Sequence, residues 1–348
     1  MGRINKMFNI KLLNMNKLFF GVVALVLMVC GCSSTNSTEK YQSSRDNVID
    51  VKDKIHEIPT EDPPLSSVIK PFVAGNYLVV GDYKSIEMML SVYDTEHLNY
   101  LASFGSFGPG PNEITRFGGL SWNPFSQESL VFDAGKLLLY SYNIDSVLSN
   151  KNYTPTIKME LDTIEFPEFY QFINDSIAIG TFVTIDDYNT HHKTTGRINI
   201  NTGKYDLFGY KHPDIKRYLT AITVSMRERI IAEIHMWNDL ISIYDFQGNL
   251  IRNIYGPQWG KDNLSCFWEC FFTKDYLITD YSGHNRDDEI IKPNQILIFD
   301  LNGDYVATLD IGYLIYRMCY DEQHNRIIFS FDDAMQMGYL ELDEIKFD

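Results

Sequence analysis

One pattern recurs along this chain and narrows what it can fold into: an apolar residue followed by Asp or Asn closes one alternating run and opens a turn into the next. Its clearest copy is LISIYDFQGNLIRNIY at 240–255. Alternating apolar residues place side chains on opposite faces of a strand, and the Gly in the turn permits positive φ, so the stretch reads as an antiparallel hairpin. Aligned on the pair, copies fall at Tyr93-Asp94, Tyr142-Asn143, Ile200-Asn201, Tyr244-Asp245, Phe299-Asp300 and Leu342-Asp343, at intervals of 43 to 58 residues. That spacing suits four-stranded propeller blades, and each interval holds strand-like runs in the same order. The expected fold is all-β, a six-bladed β-propeller with four-stranded blades. Helical 3.6-residue periodicity is scarce.

The innermost strands of the six units are expected at 67–72, 114–122, 166–172, 219–226, 265–271 and 314–319. The sixth unit shows no clear fourth strand after 337–342. An alternating run, VIDVKDKIHEI at 48–58, is left over ahead of the first unit. Pairing it with the sixth unit would close the ring and remove an exposed edge; the alternative donor of the missing strand is 345–348. Aromatic content of 14%, much of it Tyr and Phe, agrees with sheets packed face to face around a ring.

Ahead of the propeller, Lys11 and Lys17 precede LFFGVVALVLMV, an apolar run of 12 residues at 18–29. It is shorter than the roughly 20 residues a transmembrane helix needs, and its basic flank and small-residue exit fit a secretory signal. Residues 1–31 are therefore read as a leader, the polar stretch 32–47 as a flexible tether, and 48–348 as the propeller domain. Without the leader, 26 basic residues face 46 acidic ones. A surface that acidic argues against nucleic acid or anionic lipid headgroups as partners, and would favour cationic partners or divalent ions.

Val29-Cys30-Gly31-Cys32 resembles a bacterial lipobox, which makes Cys32 the expected lipidated N-terminus; the alternative is an ordinary signal peptide cut nearby. The segment 104–113, FGSFGPGPNE, looks like the FG-x-x-G-x-GPGEF signature between blades in NHL-like propellers, with Asn112 where that signature has its last Gly and Ile114 where it has Phe. With the YD-x-x-GN hairpins, residues 48–348 resemble the TolB-like six-bladed β-propeller lipoproteins common in gut-type Gram-negative anaerobes. The resemblance implies a membrane-anchored lipoprotein of the cell envelope, held in the outer membrane through its N-terminal lipid. The periplasmic side is favoured, because no acidic cluster follows Cys32. It specifies a fold and leaves function open. Asp145-Ser146-Val147, Asp162-Thr163-Ile164 and Asp175-Ser176-Ile177 match the D-[ST]-apolar O-glycosylation motif of envelope proteins in such anaerobes.

In a propeller the connections between second and third strands, and between one blade and the next, emerge on one face, where long loops tend to carry function. The longest candidates are 183–195 and 281–294. This face is expected to gather His191, His192, Trp237, Trp259, His212, His284 and Arg286. The adjacent histidines, and His284 beside Asp287, Asp288 and Glu289, could contact a divalent cation, but no D-x-D-x-D-G spacing is present, and solvated loop residues are the simpler reading. Trp237 and Trp259 could form a sugar or peptide platform, or plug gaps between blades.

Catalytic signatures are missing: there is no G-x-S-x-G elbow, HExxH helix, CxxC site or sialidase box. Glu269 and Arg317 fall on expected inner strands and read as a buried ion pair lining the channel, with a channel metal as the alternative. Cys266, Cys270 and Cys319 read as buried free thiols, although Cys319 could reach one of the others. The leading expectation is a non-catalytic module binding an envelope protein or glycan. The second is a metal-dependent hydrolase or lyase with its site in the channel.

Overall fold

The computed structural model describes residues 38–60, 62–161, 167–185, 190–208 and 211–347. Expectations for Cys32, the leader and Thr163 lie outside these residues.

Three short strands come first: β1 (Glu39–Tyr41), β2 (Val48–Asp50) and β3 (His56–Glu57). Blade one is β4 (Ile69–Ala74), β5 (Tyr77–Asp82), β6 (Met88–Asp94) and β7 (Tyr100–Ser106). Blade two is β8 (Phe117–Asn123), β9 (Glu128–Asp133), β10 (Leu138–Tyr142) and β11 (Thr156–Glu160), with a short helix α1 (Ile144–Ser149) before its last strand. Blade three is β12 (Pro167–Phe172), β13 (Ile177–Ile185), β14 (His191–Asn199) and β15 (Tyr205–Leu207); blade four is β16 (Thr220–Ser225), β17 (Ile230–His235), β18 (Leu240–Asp245) and β19 (Leu250–Tyr255). A two-residue strand β20 (Leu264–Ser265) precedes blade five, which is β21 (Cys270–Phe272), β22 (Tyr276–Tyr281), β24 (Gln295–Asp300) and β25 (Tyr305–Asp310); β20 pairs instead with β23 (His284–Asn285). Blade six is β26 (Ile315–Asp321), β27 (Arg326–Phe331), β28 (Met337–Glu341) and, as its fourth strand, β3. The fold is a six-bladed β-propeller, as the spacing of the hairpins predicts.

The recurring Asp has a local cause. In the turn after β18, Asp245 Oδ1 accepts backbone N–H groups from Gln247 (2.9 Å) and Asn249 (2.8 Å). Asp300 does the same after β24 for Asn302 (2.9 Å) and Asp304 (2.8 Å). Gly248 and Gly303 take the left-handed conformation there, at φ 85° and 76°, so the pair-plus-Gly signal is a side-chain-capped turn. Three copies differ from the sequence alignment. In blade three the capping residue is Asn199, two positions before the aligned Asn201; Asn143 caps α1 by accepting from Ser146 N at 2.8 Å; and Leu342-Asp343 lies in a 3-10 turn, Leu342–Glu344, where Asp343 Oδ1 accepts from Asn325 Nδ2 at 2.6 Å.

Packing explains why middle strands are apolar on both faces. The buried side chains form six large clusters, each joining two neighbouring blades. Adjacent residues of β22 illustrate the division: Leu277 packs against blade four while Ile278 packs against blade six. A strand in a propeller is covered on both sides, so alternation sorts residues between two cores rather than between core and water.

The N-terminal region departs from expectation in two ways. The run 48–58 is not one strand, because a 3-10 turn at Lys52–Lys54 splits it. β2 lies parallel on β25 of blade five, and only β3 pairs with β28 to close the ring. The alternative donor does not pair with β28 over its described residues, 345–347. Second, the expected tether is structured from residue 39 onward. β1 lies parallel on β19 of blade four, Tyr41 stacks on Tyr255 at 4.5 Å, and Arg45 reaches the buried Asp239 at 2.8 Å. Its polar composition hid this because an edge strand bonded through its backbone needs no apolar face of its own.

Candidate functional site

The inner strands of all six blades enclose a central cavity of ≈ 760 Å³. Its walls carry Phe72 and Trp122 from blades one and two, Tyr170 and Phe172 from three, Ile222 from four, Phe271 from five and Tyr320 from six. Lys70, near the start of β4, crosses the axis at one end. Its Nζ lies 2.9 Å from Glu269 Oε1 of blade five and 3.7 Å above the Phe169 ring of blade three. Contacts between alternate blades can form only across the channel, so these side chains close that end. From there the cavity runs to the turns linking first and second strands, where Asn76, Pro124, Met226 and Gln323 line it.

Glu269 stands one residue ahead of β21 rather than on the longer inner strand expected at 265–271. Its Oε2 accepts from Met318 N at 2.7 Å, and its Oε1 lies 3.6 Å from Arg317 Nε. The structure thus sets Glu269 and Arg317 together and adds Lys70, which sequence reading missed. Burial pushes the Lys70 ammonium below the ordinary lysine range, with Glu269 opposing that shift.

A second set of acids positions the inner strands. Asp82, Asp133 and Asp280 sit at or near the ends of second strands and accept backbone N–H groups from the residues leading into a first strand: Ser66 at 2.8 Å, Thr115 at 2.8 Å, and Trp268 at 2.7 Å. Their recurrence in VVGD, LVFD and LITD was a usable signal. Asp280 also holds Glu269 N at 3.0 Å, and so fixes the backbone beside the Lys70 crossing.

Behind the cavity wall in blade four, Glu233 accepts hydrogen bonds from the Thr195 and Tyr244 hydroxyls and lies 3.6 Å from His235. Burial raises Glu233 and Asp280 to about 7 and lowers His235 to about 3. These shifts predict the pH profile of stability. Between about 4.5 and 7 the folded protein keeps protons on Glu233 and Asp280 that the unfolded chain has released, so stability falls as pH rises through that window. His235 acts oppositely: the unfolded chain binds its proton below 6.5 and the fold does not, so stability is lost as pH falls below 6.5. Thermal melts are expected to show a midpoint that falls from pH 6.5 to 7.5, and Glu233→Gln is expected to flatten that slope. A profile equally steep in the variant would remove Glu233 as its source.

The seven residues expected on one face divide into separate groups, and none of them lines the cavity. His191 and His192 are the first residues of β14, opposite Ile185 and Thr184, rather than loop residues. His192 Nδ1 accepts from Tyr218 N at 3.3 Å. Trp259 packs against His212 at 5.0 Å and Tyr255 at 4.9 Å, and His212 Nε2 meets the Tyr255 hydroxyl at 3.0 Å, so this trio fills a gap in the fold. Trp237 takes the guanidiniums of Arg217 and Arg286 against its ring, at 4.4 and 4.1 Å. His284 lies 3.9 Å from Asp288. Among the described residues no three His, Cys, Asp or Glu side chains converge as a metal-binding group.

The three cysteines in the propeller are free thiols, but Cys266 is not on the inner strand with Cys270, because β20 ends before it. Burial pushes all three above the ordinary thiol range, which disfavours the reactive thiolate. Ser146 of the first glycosylation motif lies on α1.

No family model matches the chain, and no curated protein matches it. Solved structures do. A member of the DUF4221 family from Bacteroides vulgatus is 11% identical with a TM-score of 0.52, over 79% of this chain and 91% of that one. A Bacteroides fragilis protein whose given name calls it exported is 11% identical with a TM-score of 0.55, over 85% and 88%. At such identity the likeness concerns the propeller fold.

Proposed function

We propose that this chain is an exported binding module that takes a short glycan into its central cavity and does not transform it. The observation that carries this reading is the cavity itself, ≈ 760 Å³ in volume and walled by aromatic rings from several blades, with polar groups such as Gln171, Ser121 and the Lys70–Glu269 pair at fixed positions. Concave sites of this size with apolar walls and a few placed polar groups suit small ligands, and aromatic faces suit the C–H faces of sugar rings. The resemblance to lipid-anchored TolB-like propellers supports an envelope location with Cys32 as the anchor. The metal-dependent hydrolase lacks a convergent donor set among the described residues.

The test is a fluorescence titration of mono- to tetrasaccharides, since Trp122 and Trp268 both line the cavity. Saturable binding is expected, weakened about tenfold by Trp122→Ala, which corresponds to about 1.4 kcal/mol. Affinity unchanged in Trp122→Ala would move the site elsewhere. Release of new reducing ends would make the protein an enzyme.

A further inference from the structure

We infer that Trp237, Arg217 and Arg286 form a binding site for an oxyanion on a soluble ligand, separate from the central cavity. The three side chains come from three connections: Arg217 from the segment leading into β16, Trp237 from the turn between β17 and β18, and Arg286 from the residue after β23. Both guanidiniums lie against one indole, at 4.4 and 4.1 Å from its centroid. Two like charges gathered at one ring repel, and the cation–π contacts offset only part of that cost.

On a chain with 46 acidic and 30 basic residues, an unneutralised pair of arginines is unexpected. No carboxylate among the described residues lies within ion-pair distance of either one, as is also true of Arg116, Arg229 and Arg252, whereas Arg45, Arg197, Arg227, Arg317 and Arg326 each have such a partner. The acids beside Arg286 are engaged within their own loop: Asp287 accepts from Asn263 Nδ2 at 2.8 Å, and Asp288 accepts from Asn285 N at 3.0 Å. Arg217 uses one donor, Nε, on the His191 carbonyl at 3.2 Å. The Nε of Arg286 is buried and makes no hydrogen bond. A buried donor left without an acceptor is costly, and a guanidinium fork is shaped for two oxygens of one carboxylate, sulfate or phosphate. An oxyanion received by the Nη donors of these guanidiniums would supply the missing charge.

The experiment titrates the full chain with sodium sulfate, inorganic phosphate and sodium glucuronate, each against sodium chloride at equal ionic strength, following tryptophan emission and heat. Saturable binding above the chloride control is expected for at least one anion. Arg217→Gln and Arg286→Gln should each weaken it at least tenfold, Arg286→Lys should not restore it, and Trp237→Phe should remove the optical signal while heat remains. Preference for sulfate or phosphate would indicate an esterified ligand, and preference for glucuronate a uronic acid. A response equal to chloride for all three anions, or binding that survives in the folded Arg217→Gln/Arg286→Gln double variant, would overturn the assignment. Trp122→Ala should leave this site unchanged, so its failure and that of the cavity are separable.

Discussion

Glu269→Gln is expected to destabilise the propeller by about 3 kcal/mol, lowering Tm by roughly 6 °C for a domain of this size. The substitution keeps the shape and an oxygen for Met318 N, and removes only the charge. Lys70 and Glu269 have side-chain exposures of 15% and 12%, so water does little to replace the lost partner. Lys70 then faces Arg317 and an amide in a site where burial already depresses its affinity for a proton. The sign of the pH effect follows. A lysine whose folded pKa lies below the unfolded value of 10.5 gives stability back as pH rises through that interval, so the deficit of Glu269→Gln should shrink in alkaline buffer. Lys70→Met/Glu269→Gln should recover most of the loss, because an apolar isostere in place of a buried pair is often neutral. A double-mutant cycle with coupling under about 0.5 kcal/mol would show that the pair is incidental.

The same crossing shows what the sequence could convey. Blade number and turn positions were legible, because Asp245 and Asp300 act through backbone atoms two to four residues away and leave a local signature. Glu269 and Arg317 were legible as an ion pair because their opposite charges fall near the start of the first strands of neighbouring blades, although Glu269 stands one residue ahead of β21. Lys70 was not, because nothing in Ile69-Lys70-Pro71 indicates that its Nζ will meet residues about 100 and 200 positions later. The face residues failed differently. Connectivity groups the loops that leave one end of the strands, but which loops touch depends on blade twist and loop path, so Trp237 could not be tied to Arg217. Period two says which residues share a face and is silent about the neighbour that covers it.

The N-terminal strands were the least legible part, and they carry the second large effect. A chain beginning at residue 48 is expected to fold with reduced stability, and one beginning at residue 59 to lose its native packing. The shorter deletion removes β1 and Arg45, leaving the Asp239 carboxylate, with a side chain 0% exposed, without its cation; breaking such a pair costs about 3–5 kcal/mol. Asp239→Asn should recover part of that loss. The longer deletion also removes β2, β3 and the buried Val51, Ile55 and Ile58, at about 1.5–3 kcal/mol for each fully buried side chain, and bares the edge of β28. The combined loss is comparable with the whole stability of an ordinary domain, about 5–15 kcal/mol. Size-exclusion chromatography and near-ultraviolet circular dichroism should find the first chain monomeric and native-like, and the second aggregated or without fixed tertiary signal. A monomeric, cooperatively melting chain from residue 59 would mean that blade six holds with three strands, and that closure by β3 does not maintain the ring. Because the cavity is walled by first strands from every blade, ligand binding should disappear with the second deletion and survive the first. The ring holds the six walls at their spacing, and β3 is the strand that joins the end of the chain to its beginning.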